Sequence, residues 1–428
     1  MTFKKQKPMK KKNSSQPIVR GLLVGGVLMG GATAALAQDT NTLAQENADL
    51  KARVMALEEL AQKEGLMPSG STPPKVVTAI SDMTISGFVQ TSYFQNTQSP
   101  PGGYNAGYLW NTKNSTFDIN KVKLTFASPP AARSETDWTA GYRVSLMAGE
   151  DAPVLNSGSS TTGFDYLREA YVDMNVPIGT GLNIKAGELI SLLNWESGDG
   201  GAANPNFSQG YQWFYTGNGP SAGVQLDYAF TDTVDVKARV DNGLYAGPVD
   251  GNQGKGFMGS VNLTPTKDFW VNFVGFAGSG STTMDVDGAS VLGGYQVNSK
   301  LGTGFESDYF NFMPNGEAQK DLWSVGGWVW YDFTDMVGLA FRAEFLDDGN
   351  GYGIKGVEVL SGNQDTAIGV GSPEGSGNLE SYTITLNLKP TKNLKIQPEI
   401  RYNHTSYSGG FNGKDDQLIL GAGASYLF

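Results

Sequence analysis

The groups in this chain with the means to act on a solute are charged side chains at every second position. In Val234-Asp235-Val236-Lys237-Ala238-Arg239-Val240-Asp241 each even position is apolar and each odd one is ionic. A strand of this kind turns one face to oil and the other to water. The same parity gathers Lys121, Lys123, Arg143, Lys185, Lys237, Arg239, Arg342, Lys395 and Arg401 on one interior face, with Glu169, Asp173, Asp227, Asp235, Asp241, Glu344 and Glu399. Opposed charges across a wet interior create a transverse field that orders water and orients polar solutes. The competing role for these ions is cross-strand pairing that stiffens a wall and selects nothing. Arg342-Ala343-Glu344 and Glu399-Ile400-Arg401, each with opposite charges two apart, suit that role.

Covalent and metal chemistry is poorly supplied. With no Cys there is no thiolate ligand or nucleophile and no disulfide framework. The single histidine, His404, precedes Ser406 by two residues. A nucleophile–base pair also needs hydrogen-bond reach and an orienting third group, which spacing does not provide. One His and no Cys leave a zinc site short of ligands. Asp347-Asp348 and Asp415-Asp416 could catch Ca²⁺ loosely but lack a full loop pattern. The expectation is no catalytic residue, no metal and no cofactor, hence no enzyme.

The ions need elements to hold them, and those elements read as an all-β, antiparallel up-and-down transmembrane barrel over 83–428. From Met83 onward about 14 alternating segments each approach the length a tilted strand needs to cross a bilayer. The clearest are Thr233–Asn242, Asp335–Leu346, Glu380–Lys389, Asn393–Asn403 and Gln417–Phe428. Short turns at Pro177–Gly181, Thr231–Thr233, Pro265–Asp268, Thr334–Asp335 and Pro390–Asn393 alternate with long loops near 95–114, 149–163, 191–219, 243–255, 278–320, 347–378 and 404–416. Keeping the long loops at one end is the arrangement of an outer-membrane barrel, and a soluble sandwich has no reason for it. Tyr93, Phe94, Phe126, Trp138, Phe230, Phe269, Trp270, Tyr331, Phe333, Tyr402, Tyr426 and Phe428 fall near strand ends, as interfacial girdles do. Asp268–Ala277 and Leu322–Phe333, of low parity contrast, are candidate faces toward neighbouring barrels, through Trp270, Trp323, Trp328 and Trp330.

Loop 191–219 is too aromatic for a freely solvated segment. The sequence favours its folding inward as a constriction, with Trp195, Glu196, Asn204, Asn206 and Gln209 at the narrowing. Packing on a neighbouring subunit is the alternative.

Residues 1–37 read as a signal peptide: Lys4, Lys5, Lys7, Lys10, Lys11, Lys12 and Arg20, then an apolar stretch, then Ala35-Leu36-Ala37, with cleavage expected after Ala37. Losing those seven cations and no acid takes the formal charge from −11 to −18. A chain so acidic does not bind nucleic acid through a basic surface. Residues 38–64 differ from the rest. Leu43, Asn47, Leu50, Val54, Leu57 and Ala61 form an a/d seam, which predicts a coiled coil, most plausibly of three copies. At about 1.5 Å per residue the helix reaches roughly 35 Å. A Pro-rich linker over 65–82 follows.

Through Ile85–Tyr93 (ISGFVQTSY), Phe117–Leu124 (FDINKVKL), Gly141–Asp151 (GYRVSLMAGED), Ala170–Val172 with Pro177, Ala203–Ser208 (ANPNFS), Phe341–Gly349 (FRAEFLDDG) and Pro398–Tyr402 (PEIRY), the chain resembles the OmpL-like group of bacterial outer-membrane β-barrel porins. It implies an outer-membrane barrel with porin activity and implies neither a substrate nor a catalytic residue. The function expected is passive diffusion of small polar solutes or ions through a water-filled, homotrimeric barrel in outer-membrane lipid. Two alternatives stand: a sugar or oligosaccharide channel stacking its solute on Trp195, Trp213 and Tyr215, and a non-conducting structural or adhesive barrel that touches the cell wall through its coiled coil.

Overall fold

A computed structural model describes residues 48–56, 83–100, 103–108, 110–156, 164–244, 253–281, 284–349 and 376–428. Sixteen strands run through the described residues. They are β1 (Thr84–Asn96), β2 (Thr116–Ala127), β3 (Thr139–Ala148), β4 (Leu167–Val176), β5 (Leu182–Leu189) and β6 (Ser221–Thr231). Next come β7 (Val234–Asp241), β8 (Gly256–Thr266), β9 (Phe269–Ser281), β10 (Met284–Gln296) and β11 (Leu301–Pro314). The series ends with β12 (Lys320–Asp332), β13 (Val337–Asp348), β14 (Gly377–Leu388), β15 (Leu394–Thr405) and β16 (Asp416–Leu427). Every strand pairs with its sequence neighbours, and β16 returns to pair antiparallel with β1, from Phe88 opposite Leu427 to Asn96 opposite Ile419. Closure leaves no unpaired edge, which a wall in hydrocarbon requires.

Strand alternation supplies the two faces. Val224, Leu226, Val240, Phe257, Val261 and Phe273 point outward and are 39–59% exposed, an apolar surface suited to lipid. Their neighbours Gln225, Asp227, Lys237, Arg239, Asp241 and Ser260 point inward and are buried. The girdle reading holds for Trp138, Phe230, Tyr331, Phe333, Tyr402, Tyr426 and Phe428, all exposed on the outer face. It fails for Phe94, buried inside against Phe207, and for Trp270, which packs on the interior apolar cluster.

Sixteen strands replace the expected 14 or so, because the presumed loop 278–320 contains the β10–β11 hairpin. Its inward residues Val286, Leu292, Phe310 and Phe312 belong to an interior apolar cluster, while outward Asp285 is exposed. The polar-inside rule is therefore inverted at the long-loop end of the hairpin, while Ser290, Glu306 and Asp308 nearer its middle still point inward. The same cluster explains the low contrast of β9 and β12. Trp270, Trp328 and Trp330 serve the interior, and only Trp323 of that group faces out. The alternation of short and long connections also has exceptions. β9 ends at Ser281 and its partner β10 begins at Met284, and β11 and β12 are joined through 315–319, whereas 128–138 is a long segment on the short-turn side.

Residues 48–56 form helix α1. The signal peptide, the linker and the seam positions Leu43, Asn47, Leu57 and Ala61 lie outside the described residues. Two short helices, α2 (Ala152–Leu155) and α3 (Tyr211–Tyr215), sit in connections on the long-loop side.

Candidate functional site in the barrel interior

A closed wall of sixteen strands is wide enough for an aqueous channel unless something fills it. Here the segment between β5 and β6 does so. Trp195, Glu196, Asn204, Asn206, Phe207, Ser208, Gln209, Tyr211 and Gln212 are all buried inside the wall. Carboxylates on the wall hold the loop by its backbone. Glu306 accepts the Trp195 N–H at 2.9 Å, and Glu344 accepts those of Tyr211 and Gln212 at 3.3 and 3.0 Å. Glu399 accepts the Phe207 N–H at 2.8 Å, the Ser208 N–H at 3.3 Å and the Thr385 hydroxyl at 2.7 Å.

The five residues proposed for the narrowing each have a defined partner. Trp195 stacks on Trp328 with ring centroids 4.6 Å apart. Glu196 accepts the Trp328 indole N–H at 3.1 Å, the Gly210 N–H at 2.7 Å and Arg342 Nη1 at 2.8 Å. Asn204 closes a reciprocal pair with Ser197, and Asn206 donates to Thr385 Oγ1 at 2.7 Å. Gln209 donates to the Gly198 carbonyl at 2.9 Å, and its backbone carbonyl accepts the Trp110 indole N–H at 3.1 Å.

The charges proposed to line the pore all sit on the inner face but fall into two environments. On β13 and β15, Arg342 and Arg401 are 0% exposed, and Glu344 and Glu399 are buried with them. Arg342 is bound by Glu196 and Glu344. Lys395 donates to the carbonyls of Gly201 and Asn204 at 2.8 and 2.6 Å. Across the barrel, the Arg143 side chain is 38% exposed and meets Glu169 at 2.6 Å. Lys185 lies 5.0 Å from the centre of the Tyr171 ring, and both stay partly accessible. Asp235, with 19% of its side chain exposed, joins Lys237, Asp227 and Arg133 in one network. Asp173 accepts the Asn183 amide at 2.6 Å, Arg239 donates to Gln225, and Asp241 caps the Gly243 N–H. Lys121 approaches Asp151 at 3.3 Å and Lys123 approaches Asp199 at 2.8 Å. Among these loop acids, burial raises the Asp151 carboxyl above its ordinary range despite Lys121. Burial would raise Asp199 too, but Lys123, with Arg168 and Lys121 nearby, holds it below that range.

Sequence reasoning missed two inward elements. Tyr108 and Trp110, from the loop between β1 and β2, are buried against the inserted loop, Tyr108 stacking on Tyr211 at 4.8 Å. The run Tyr104-Asn105-Ala106-Gly107-Tyr108-Leu109-Trp110 carries the aromatic signal that singled out 191–219. The turn 128–138 reaches into the short-turn mouth, where Arg133 binds Asp227 and Asp235 and the Ala131 N–H donates to Asp173 at 3.1 Å. A lone Arg in a turn gives no such signal. His404 and Ser406 take separate partners: His404 Nδ1 meets Asp416 Oδ1 at 2.8 Å, and Ser406 accepts the Asn378 N–H.

With a closed, lipid-faced barrel enclosing a charged interior, the comparison with known families becomes decisive. The family model described as "Putative beta-barrel porin-2, OmpL-like" matches residues 82–428. The chain belongs to that family. It is an outer-membrane β-barrel porin, and its solved neighbours share the fold. An anion-selective porin from Comamonas acidovorans superposes with a TM-score of 0.54 at 10% identity, over 81% of this chain and 99% of that one. The trimer form of OmpT from Vibrio cholerae gives 0.54 at 12% identity, with the same coverage. The outer-membrane channel DcaP of Acinetobacter baumannii gives 0.50 at 15%, over 81% of this chain and 97% of that one. No curated protein sequence matches this porin.

Proposed function

We propose that this porin is a passive diffusion channel for small polar solutes or ions, and that its path follows the β3–β7 wall rather than the barrel axis. The observation carrying this reading is the contrast between Arg143, 38% exposed, and the sealed pair Arg342, bound by the inserted loop, and Arg401, covered by Phe94 and Tyr108. A passing solute meets the accessible charges, so Arg143, Lys185 and Asp235 line the pore, with the buried Glu169, Asp227 and Lys237 paired behind them. Arg342, Glu344 and Glu399 act one step removed, holding the loop that narrows it, and Arg401 backs the Tyr108 ring that stacks on Tyr211. A sugar channel stacking its solute on Trp195, Trp213 and Tyr215 is disfavoured: Trp195 and Tyr215 are buried against protein, and the half-buried Trp213 packs edge-on with Trp110 at 5.0 Å. Catalysis has no part in this reading, and cleavage after Ala37 delivers the barrel to the outer membrane.

The working unit is a homotrimer, its subunits joined at the base by the coiled coil of residues 38–64, which also stands ready to meet the cell wall; 65–82 is the tether. The test is single-channel recording of the detergent-extracted protein in a planar bilayer with a salt gradient. Steps in groups of three are expected, and Arg143→Ala should move the reversal potential toward cations by more than Lys395→Ala does. A folded, heat-modifiable barrel that carries no current would overturn the channel reading.

A further inference from the structure

Two arginines of the inner wall are equally buried and quite differently satisfied. Arg342 on β13 has Glu196 and Glu344 at 2.8 and 3.0 Å, the Ser208 carbonyl, and Thr383 Oγ1 at 2.9 Å. Arg401 on β15 has rings on its faces and nothing on its edge. Its Cζ lies 4.9 Å from the Phe94 ring centre and 4.5 Å from that of Tyr108. None of Nε, Nη1 and Nη2 has a hydrogen-bond partner among the described residues. It is the one arginine there whose whole head group is left without one. The nearest carboxylate oxygen, Glu399 Oε1, is 3.9 Å from Nε. Glu399 is also already engaged by Phe207, Ser208 and Thr385.

The neighbourhood adds another empty donor. Asn403, two residues along the same face of β15, accepts the Tyr108 hydroxyl at 2.8 Å through Oδ1. That bond fixes the amide orientation, and its Nδ2 has no partner among the described residues. The guanidinium is always charged, and a buried charge without acceptors is strongly disfavoured. Glu399, 3.9 Å from Nε and shared with Phe207, Ser208 and Thr385, balances that charge only from a distance, and no acceptor reaches the Nη1 and Nη2 edge among the described residues. What that edge lacks is an anion within hydrogen-bond reach.

The geometry points to a resident halide, chloride in ordinary salt, bound at the edge of Arg401 beside Asn403 Nδ2. The surroundings limit its size. Phe94, Tyr108, Thr383, Asn403, Gln417 and Ile419 are all sealed from solvent, so a solute in transit does not reach this place and a monatomic ion suits it. Its role is to complete the contact between the wall and the Tyr108–Tyr211 stack over the inserted loop. The site does not depend on whether the barrel conducts.

The test uses the full-length protein in detergent at one ionic strength, in sodium chloride, sodium bromide or sodium gluconate. The readout is the temperature at which the compact, fast-migrating band is lost. The expected result is a midpoint several degrees higher in the halides, rising with concentration to a plateau, and no such difference in Arg401→Gln. Crystals of the unaltered protein grown in bromide should show an anomalous peak within hydrogen-bond distance of the Arg401 guanidinium, which decides the matter even if the variant fails to assemble. Equal midpoints in chloride and gluconate, or bromide found only elsewhere, would overturn the proposal.

Discussion

Gly304 and Gly423 show how the wall receives the loop. Both point into the barrel, and a Cβ on Gly423 would stand 1.9 Å from the Phe207 ring, while one on Gly304 would stand 2.2 Å from Trp195. Glycine inside a strand weakens the strand and is kept where another group must approach closely. In the sequence Gly423 reads only as a small residue in an alternating strand, and Gly304 falls in the presumed loop 278–320; nothing local shows that a distant aromatic ring fills the space. Gly423→Val should therefore leave the wall paired but expel Phe207 from its seat. The expected outcome is an unchanged folded band with a severalfold larger single-channel conductance; an unchanged conductance would mean that the loop does not narrow the path. Glu399→Gln tests the same attachment through its charge. Hydrogen bonds to a charged acceptor contribute about 1.5–3 kcal/mol, so weakening those from Phe207 and Ser208 should loosen the loop without unfolding the barrel. The check is faster proteolytic nicking near 200–209 in Glu399→Gln, at a melting temperature close to that of the wild type.

At the scale of elements, the strands were legible wherever lipid and water sat on opposite sides. β7, β13, β15 and β16 follow their alternation closely, and each proposed interior charge lies on the inner face. The β10–β11 hairpin was not legible, because its inner face is apolar at one end, where Phe310 meets Phe276 at 4.7 Å, and carries Glu306 and Asp308 further along. An interior that is part core and part channel has two rules for the same face, and sequence parity cannot say which applies. Turn 128–138 poses the same difficulty in miniature, since Arg133 gains its meaning only from Asp227 and Asp235 across the mouth. Arg133→Ala leaves Lys237 as the remaining close cation for those two acids. The mouth should then attract cations, shifting the reversal potential in a potassium chloride gradient toward the potassium value. No shift would place the path away from this turn.

For the whole molecule, the barrel and the helix before it have different claims to stability. The wall is closed and its backbone is paired all round, so it needs neither the helix nor a second copy to persist. Helix α1 has no such support: its described seam residues Leu50 and Val54 are 54% and 37% exposed. Three heptads are marginal alone in water, so in the proposed trimer other copies would cover that seam, held close together by the barrels in the membrane. In that assembly, association through the barrels and through the helices would reinforce each other, because each would raise the local concentration for the other. Deleting residues 40–64 should leave the conductance of each subunit as it was. It should also lower the temperature at which trimers fall to monomers on a gel run without denaturing heat. Asn47→Leu should act in the opposite direction on that temperature, because an Asn on the seam costs stability while fixing register. If the deletion leaves the trimer as heat-resistant as before, the helices do not join the subunits, and their exposed seam is a surface for some other partner in the envelope.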